Sequence, residues 1–396
     1  MNFQEIQALD RGVVMPTYGR FAVALDHGKG AVATDTQGKE YIDFGSGIGV
    51  NSLGYAYPAW VKAVSEQAAT LQHTSNLYYN PVQAQFADEL CRAAGMSRAF
   101  LCNSGAEANE CAIKLARKYS FDHYGEGRAT IVTLVNSFHG RTVTTLAATG
   151  QDGFHRYFDP FTGGFRYAEA GDIGVLEEAL DSTVCAVLLE CVQGEGGVIA
   201  LEPAYLQAVA ALCAEHDVLL MTDEVQTGVG RTGKFLAIEH AGVKPDVVTL
   251  AKGLGGGLPI GACLCSEELK DVMSAGMHGS TFGGNPVVCA GGRVVLETVT
   301  QPGFLEAVAE KGEYLRRRLA EMPHVQEVRG LGMMLGVRLD DALTARAVAE
   351  ACVEGGLLIL TAKTLLRLLP PLNITREEMD KGLAVLENVL KGWNNA

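Results

Sequence analysis

Apolar runs and amphipathic stretches alternate along the middle of the chain, from about Trp60 to Val294. Continuous apolar runs that end in polar or glycine-rich residues predict buried strands at 186–189, 218–221 and 247–250. An amphipathic stretch at 205–213 predicts a helix between the first two strands. Such alternation is typical of a parallel sheet with crossover helices, so the pattern predicts an α/β fold whose strand ends open onto one crevice.

The pattern changes after about Gly292. Apolar residues at helical spacing continue beyond it, and a further helix is predicted at 345–352. Short apolar runs then predict strands at 357–360 and 365–369. This mixture of helix and strand is typical of a smaller α+β unit.

The length of 396 residues accommodates two or three domains. We place the boundary between the two main domains where the pattern changes. The predicted division is an N-terminal segment that packs with the small domain, a large domain with a mainly parallel central sheet, and a small C-terminal domain, at residues 1–55, 56–292 and 293–396 respectively.

Acidic residues outnumber basic ones, 46 to 32, which gives a formal net charge of −14. This charge repels nucleic acid and anionic lipid and no basic run counteracts it, so we expect neither partner. No window approaches the ~18 consecutive apolar residues of a membrane span, and the first residues show no secretory signal. The ten cysteines lack a C-x-x-C pair, which is typical of reduced core residues. We therefore expect a cytoplasmic protein.

The segment Asn103–Asn109 precedes a run with helical spacing, so we expect a helix to begin near Gly105. Ser104 and Glu107 have the spacing of a capping box. The small residues Gly105 and Ala106 would let a phosphate approach the free backbone N–H groups, where the helix dipole adds attraction. When this segment is considered alone, an ordinary capped helix also explains it.

Two charged residues follow successive predicted strands. A carboxylate at Asp223 would be poorly solvated there and would need a cationic partner, of which a protonated pyridine nitrogen is one. Partial desolvation of Lys252 would lower the pKa of its amine and make it nucleophilic enough to form a Schiff base. A helix cap or buried salt bridge would also explain Asp223, and a surface turn would explain Lys252. Their places at successive strand ends favour one shared site.

Two other patterns suggest chemistry that the context does not support. Residues 228–233 match the dinucleotide motif G-x-G-x-x-G, but Asp223–Thr227 separate them from the preceding strand. Extended through Lys234 they nearly match a Walker A loop, but Phe235 stands where that loop needs Ser or Thr, so we do not expect nucleotide binding. The nine histidines show no H-x-x-x-H or H-E-x-x-H spacing, so we expect no metal site. We interpret His139 and His278 as hydrogen-bonded structural residues.

Six motifs stand in order along the chain: Asn103–Asn109, Ser137–Thr142, Glu195–Val198, Asp223–Gly228, Ala251–Gly253 and Gly279–Pro286. Together they resemble the class III (subgroup II) pyridoxal phosphate-dependent aminotransferases of fold type I. The resemblance covers essentially the whole chain, and six ordered motifs are hard to reach by chance. It implies the fold type I architecture, with pyridoxal 5'-phosphate as the cofactor.

The resemblance assigns the cofactor's chemistry to particular residues. Lys252 would bind pyridoxal phosphate covalently and act as general acid and base. Asp223 would pair with the pyridinium nitrogen and keep the ring an electron sink. Gly105 and Ala106 would bind the phosphate through backbone donors.

The resemblance also implies residues around the ring and across a subunit boundary. Phe138 would stack on the ring, and Gln226 would contact its hydroxyl side. In this family the residue at Thr281 reaches the phosphate of the neighbouring subunit, with Ser280 beside the substrate. A homodimer with shared active sites is therefore expected.

Three residues are implied in substrate binding. Arg141 and Arg367 would bind substrate carboxylates, for which a guanidinium fork is geometrically suited. Glu195 would neutralise an active-site arginine and release it when a dicarboxylic substrate arrives, although a loop carboxylate without that role also explains it. Glu190, at its strand end, fits a packing or hydrogen-bonding carboxylate equally well.

The implied reaction moves an amino group from an amine to a 2-oxo acid, expected to be 2-oxoglutarate. The motif contains His139 where ornithine δ-aminotransferases tend to have tryptophan, so by analogy N2-acetylornithine is the expected donor, in arginine biosynthesis. Succinylornithine, N-succinyldiaminopimelate and free ornithine stay open as donors. An aminomutase or decarboxylase of the same fold is the second enzyme hypothesis, and Arg367 argues against both. A cofactor-binding module without turnover is the hypothesis from another class.

Overall fold

The computed structural model describes residues 1–393. Within them, the helices are α1 (Phe3–Val13), α2 (Ser46–Gly49), α3 (Pro58–Thr70), α4 (Pro81–Ala94), α5 (Gly105–Tyr124), α6 (Val143–Ala148), α7 (Asp152–His155), α8 (Ile173–Ala179), α9 (Pro203–Glu215), α10 (Pro286–Val299), α11 (Phe304–Ala320), α12 (Ala345–Gly355) and α13 (Arg376–Trp393). The strands are β1 (Leu25–Lys29), β2 (Val32–Asp35), β3 (Glu40–Asp43), β4 (Arg98–Cys102), β5 (Thr130–Leu134), β6 (Phe165–Ala168), β7 (Val184–Leu189), β8 (Val192–Gln193), β9 (Ile199–Ala200), β10 (Leu219–Asp223), β11 (Val247–Leu250), β12 (Gly261–Cys265), β13 (Val325–Leu331), β14 (Met334–Leu339), β15 (Leu357–Leu358), β16 (Leu360–Ala362) and β17 (Leu365–Leu368).

A seven-stranded sheet forms the centre of the fold, in the order β4-β12-β11-β10-β7-β5-β6. Its neighbours are parallel except at β12, which runs antiparallel to β11 and β4. Every residue of β7, β10 and β11 is buried. Continuous apolar strands of this kind need helices on both faces of the sheet, which explains the crossover helices between them. The predicted α/β class is confirmed.

The three predicted central strands are all present and are direct neighbours. The strand predicted at 218–221 runs two residues further, so that Asp223 is its last residue. Thr222 pairs with Leu189 of β7, and Asp223 pairs with Thr249 of β11. Since the three strands are parallel, their carboxyl ends meet at one edge of the sheet, as predicted.

The second part of the chain forms an antiparallel sheet in the order β13-β14-β17-β16, with α11 and α12 packed against it. The prediction of a single strand at 357–360 is wrong. The chain there forms two short strands, because Leu357 and Leu358 pair with Ile42 and Asp43 of β3, whereas Leu360 pairs with Arg367 of β17.

The N-terminal strands β1, β2 and β3 form their own sheet, which β15 completes. Helix α10 runs through the predicted boundary at 292/293 and packs against α3 and α4. The division at 1–55, 56–292 and 293–396 stays a prediction, and its last three residues lie outside the described part of the chain.

The ten cysteines are unpaired, and all but Cys91 are buried. No group of three or more potential metal-ligating side chains was found in the described part of the chain. No helix within residues 1–393 combines the length and hydrophobicity needed to cross a membrane.

Candidate active site

A cavity of about 490 Å³ opens at the carboxyl edge of the seven-stranded sheet. Residues that end or follow β7, β10 and β11 line it, together with the first turn of α5. It brings together seven of the eleven predicted site residues, which are Gly105, Ala106, Phe138, Arg141, Asp223, Gln226 and Lys252.

Lys252 is partly buried at the cavity, directly after β11. It has a left-handed backbone conformation, with φ of 45°, which costs roughly 1 kcal/mol for a residue with a side chain. The turn is fixed from the other side, because Ser52 Oγ donates to the Gly253 carbonyl over 3.0 Å. Burial lowers the pKa of the Lys252 amine, with Glu195 acting in the opposite direction. The position therefore favours a nucleophilic neutral amine.

Asp223 is only 4% exposed and is held by three donors. His139 Nδ1 and Asn109 Nδ2 each donate to Oδ2 over 2.8 Å, and the Val225 backbone N–H donates to Oδ1 over 3.0 Å. Asn109 is itself fixed by Thr249 Oγ1, at 2.7 Å. Such a set of donors orients the carboxylate and compensates part of its desolvation.

The N-terminus of α5 forms one wall of the cavity. Ser104 caps it by accepting the Glu107 N–H over 3.2 Å, as predicted. A Cβ at Gly105 would lie 2.6 Å from Val225 Cγ1, so no larger residue fits there without a shift. The first turn leaves backbone N–H groups without helical partners, and such groups bind anions.

An ion pair between Arg367 and Glu195 lies beside these residues. Arg367 projects from β17 of the small antiparallel sheet, whereas Glu195 follows β8. Their side chains are 4% and 27% exposed, and Arg367 Nη1 also donates to Gln226 Oε1 over 3.3 Å. Burial alone would raise the pKa of Glu195, but the charge of Arg367 holds it below its usual value.

Phe138 and Arg141 also line the cavity. The exposed Arg141 guanidinium lies 4.0 Å from the centre of the Phe154 ring and 5.3 Å from that of Phe138. These aromatic contacts hold the cation at the cavity, and it has no carboxylate partner among the described residues, so its N–H donors are available to an anion.

Ser280 and Thr281 do not line the cavity of their own chain. Ser280 Oγ accepts from Asn103 Nδ2 over 3.1 Å, and Thr281 is exposed. The neighbouring Phe282 is 61% exposed. The expectation that Thr281 serves a neighbouring subunit stays a prediction.

Sequence reasoning missed His139, Asn109 and Glu190 as parts of this site. His139 was interpreted as a structural residue, yet it bonds Asp223 across 84 positions of sequence. Glu190 accepts the Phe138 N–H over 2.9 Å, and burial together with the charge of Asp223 raises its pKa well above the usual range. Asn109 and His139 lie within two of the six motifs, and Glu190 follows a predicted strand, which is the only signal that could have indicated them.

The lining groups fit pyridoxal phosphate. An amine, Lys252, is available for its aldehyde, and a buried carboxylate, Asp223, for its ring nitrogen. The glycine and alanine at the N-terminus of α5 leave room for its phosphate.

Comparison with known proteins gives a consistent result. The profile of the family described as Aminotransferase class-III matches residues 13–390. The acetylornithine aminotransferase of Haemophilus ducreyi is 51% identical, over 98% of this chain and 99% of its own. That of Caldanaerobacter subterraneus subsp. tengcongensis is 48% identical, over 96% and 98%.

A solved structure is similar throughout. The ornithine aminotransferase from Toxoplasma gondii, described with partial occupancy of PLP at its active site, has a TM-score of 0.96 at 34% identity. The match covers 100% of this chain and 95% of that one. The chain belongs to the class-III aminotransferases and is a pyridoxal phosphate-dependent transaminase.

Proposed function

We propose that the protein transfers the terminal amino group of N2-acetylornithine to 2-oxoglutarate, giving N-acetylglutamate semialdehyde and glutamate, in arginine biosynthesis. The observation that carries the proposal is the ion pair between Arg367 and Glu195 beside the cavity that holds Lys252. A masked arginine lets one pocket accept an amine with one carboxylate and then a dicarboxylic 2-oxo acid. The choice of donor is supported by the acetylornithine aminotransferases that are 48–51% identical.

Pyridoxal phosphate, when bound, supplies a ring that withdraws electrons from the carbon bearing the amino group. Lys252 Nζ is the proposed covalent attachment point. Lys252 Nζ would also take the proton from that carbon, and its lowered pKa favours the neutral form needed for this. Asp223, held by His139 and Asn109, is the proposed partner of the ring nitrogen.

Four further residues have proposed binding roles. The N–H groups of Gly105 and Ala106 bind the phosphate at the start of α5. Phe138 stacks on the ring of the cofactor. Gln226, which accepts a hydrogen bond from Arg367, contacts the hydroxyl side of that ring.

The two arginines have separate proposed tasks. Arg141, free of carboxylate partners in the described structure, binds the carboxylate of the amine and the distal carboxylate of 2-oxoglutarate. Arg367 binds the carboxylate next to the carbonyl of 2-oxoglutarate after Glu195 has moved away. Glu195 keeps Arg367 neutralised while the amine is bound, because an unpaired buried guanidinium would attract a carboxylate at the wrong position.

The proposal includes a cytoplasmic homodimer with shared sites, in which Thr281 and Ser280 reach the partner's cavity. Hybrid dimers of Lys252→Ala and Thr281→Glu subunits test this. If Thr281 serves the neighbouring site, one site of each hybrid keeps both native residues, so mixing two inactive variants restores activity. If each site is built from one chain, the mixture stays inactive.

A panel of amines tests the donor. N2-acetylornithine should give the highest kcat/KM with 2-oxoglutarate, above succinylornithine, N-succinyldiaminopimelate and free ornithine. The ornithine aminotransferase with a TM-score of 0.96 makes free ornithine the second candidate, and faster turnover of it would overturn our choice. Consumption of one 2-oxoglutarate per amine separates transamination from aminomutase or decarboxylase activity. An unchanged cofactor spectrum with every donor would indicate a module without turnover.

A further inference from the structure

Arg231 is a buried cation without an acidic partner. Its residue is 2% exposed, and no carboxylate of residues 1–393 lies within salt-bridge distance of its guanidinium. Nη2 has no hydrogen-bond partner in the described structure. Burial lowers the pKa of Arg231 to about 9, so it remains charged at neutral pH. An unpaired buried charge is costly unless hydrogen bonds compensate it, so the partners of this guanidinium matter.

The contacts of Arg231 join two segments of the small sheet. Nη1 donates to the carbonyls of Met333, over 3.2 Å, and Pro370, while the Arg231 carbonyl accepts the Met333 N–H over 3.0 Å. Strand β14 begins right after Met333, and Pro370 follows β17 by two residues. The arginine therefore belongs to the loop after β10 but binds both strands of another sheet.

The register of these strands connects Arg231 with Arg367. Gly336 of β14 pairs with Arg367, and Leu335 pairs with Leu368. Extending this antiparallel register places Met333 opposite Pro370. Proline has no N–H to donate across a ladder, so the Nη1 group supplies a donor at the point where the ladder ends.

A strained segment completes the junction. Residues 46–49, which form α2, make a single left-handed turn in which all four have positive φ, between 41° and 74°. Ser46 Oγ donates to the Leu369 carbonyl. A Cβ at Gly49 would lie 3.9 Å from Arg231 Nη2. The residues that follow β17 are thus bonded both to Arg231, through the Pro370 carbonyl, and to this left-handed turn, through the Leu369 carbonyl.

We infer that Arg231 is a positioning residue for Arg367, fixing the end of β17 so that the Arg367 guanidinium faces the cavity in the place where a 2-oxo acid binds. The segment 228–233, whose sequence matches a nucleotide-binding motif, then connects two sheets. One is the seven-stranded sheet whose edge carries Lys252, and the other is the small antiparallel sheet that carries Arg367. The inference rests on the role proposed for Arg367.

Half-reactions measured separately on the holoenzyme test this inference. Protein in the pyridoxamine phosphate form is mixed with 2-oxoglutarate, which makes the measurement independent of the natural amine. Arg231→Met should raise the 2-oxoglutarate concentration for half-maximal rate by about tenfold, the equivalent of ~1.4 kcal/mol. The amine half-reaction should change less than about threefold, because Arg367 is then masked by Glu195.

Lys311→Met is the matched control. Lys311 Nζ also donates to a backbone carbonyl of the same segment, that of Leu372, over 2.9 Å. Three results would each overturn the inference. Arg231→Met and Lys311→Met could have equal effects, Arg231→Met could slow both half-reactions equally, or Arg231→Met could change neither half-reaction. If Arg231→Met does not fold, Arg231→Lys should still show a smaller rise confined to 2-oxoglutarate, because an ammonium lacks the planar fork. A lysine variant identical to wild type would likewise overturn it. Failure of the proposed function is recognised separately, as a wild-type enzyme that shows no 2-oxoglutarate half-reaction.

Discussion

The ion pair between Arg367 and Glu195 makes a direct prediction for Glu195→Gln. The substitution keeps the size of the side chain and removes its charge. A dicarboxylate that binds Arg367 in the wild type must first break a charge-assisted pair whose members are 4% and 27% exposed. Hydrogen bonds between charged groups contribute ~1.5–3 kcal/mol and neutral ones ~0.5–1.5 kcal/mol, so the variant avoids a cost of ~1–2 kcal/mol. Its affinity for a dicarboxylate should therefore rise about 5- to 30-fold.

Glutarate is a suitable probe, because it has two carboxylates and no carbonyl to react. Its Kd is measured from the absorbance change of the bound cofactor. The same variant should lose preference for N2-acetylornithine over glutamate as amino donor, because free Arg367 captures the carboxylate of either amine.

Glu89→Gln is the matched control for the change in charge. Glu89 pairs with Arg293 over 2.7 Å, and its side chain is 30% exposed, close to the value for Glu195, but the pair lies outside the cavity. The control should bind glutarate like the wild type. A Glu195→Gln protein whose glutarate Kd stays within twofold of wild type would refute the masking role.

Three further changes give separate predictions. Lys252→Ala should abolish turnover and the absorption band of the lysine-bound cofactor, and normal turnover by this variant would contradict the covalent role. Burial raises the pKa of Glu224 from 4.5 to about 7. Between these pH values the folded state keeps the carboxyl proton and the unfolded state loses it. The free energy of unfolding therefore falls by ~3 kcal/mol as the pH rises through this range. Urea titrations between pH 5 and pH 8 should show a smaller loss for Glu224→Gln, and equal slopes would exclude this effect. Gly312→Ala should cost ~1–3 kcal/mol in the same assay, because its Cβ would lie 2.3 Å from the Gly332 carbonyl oxygen; Gly12→Ala, with open space around it, is the control.

Local sequence was sufficient for the part of the site that stands on parallel strand ends. The apolar runs before Asp223 and Lys252 are long enough to be buried strands, and parallel neighbours bring their carboxyl ends together without any further information. The helix at Gly105 was predictable for a similar reason, since capping and helical spacing are local properties. These predictions depend on contacts within a few residues or on one rule of sheet topology.

Contacts between distant segments were not predictable in this way. No pattern in the sequence indicates that His139 bonds Asp223, because that bond depends on how the loop after β5 crosses the sheet. The burial of Arg231 was hidden by a motif that suggests phosphate binding. The division of the predicted strand at Ile359 follows from pairing with β3, more than 300 residues earlier in the chain, and periodicity does not report such pairing.

The charged groups proposed for the chemistry and the one proposed to bind the 2-oxo acid stand on different sheets. Asp223 ends β10 and Lys252 follows β11 by two residues, and these neighbouring strands of the seven-stranded sheet are joined by backbone hydrogen bonds. Arg367 stands on a different sheet and lies beside the cavity, where its guanidinium pairs with Glu195 and donates to Gln226 Oε1. A small shift between the sheets would therefore move Arg367, the proposed carboxylate-binding group, relative to Lys252 and would leave Lys252 and Asp223 in register. Substitutions at the junction should accordingly change the order of preference among 2-oxo acids before they change the rate of proton transfer, whereas substitutions at the strand ends should slow every substrate alike.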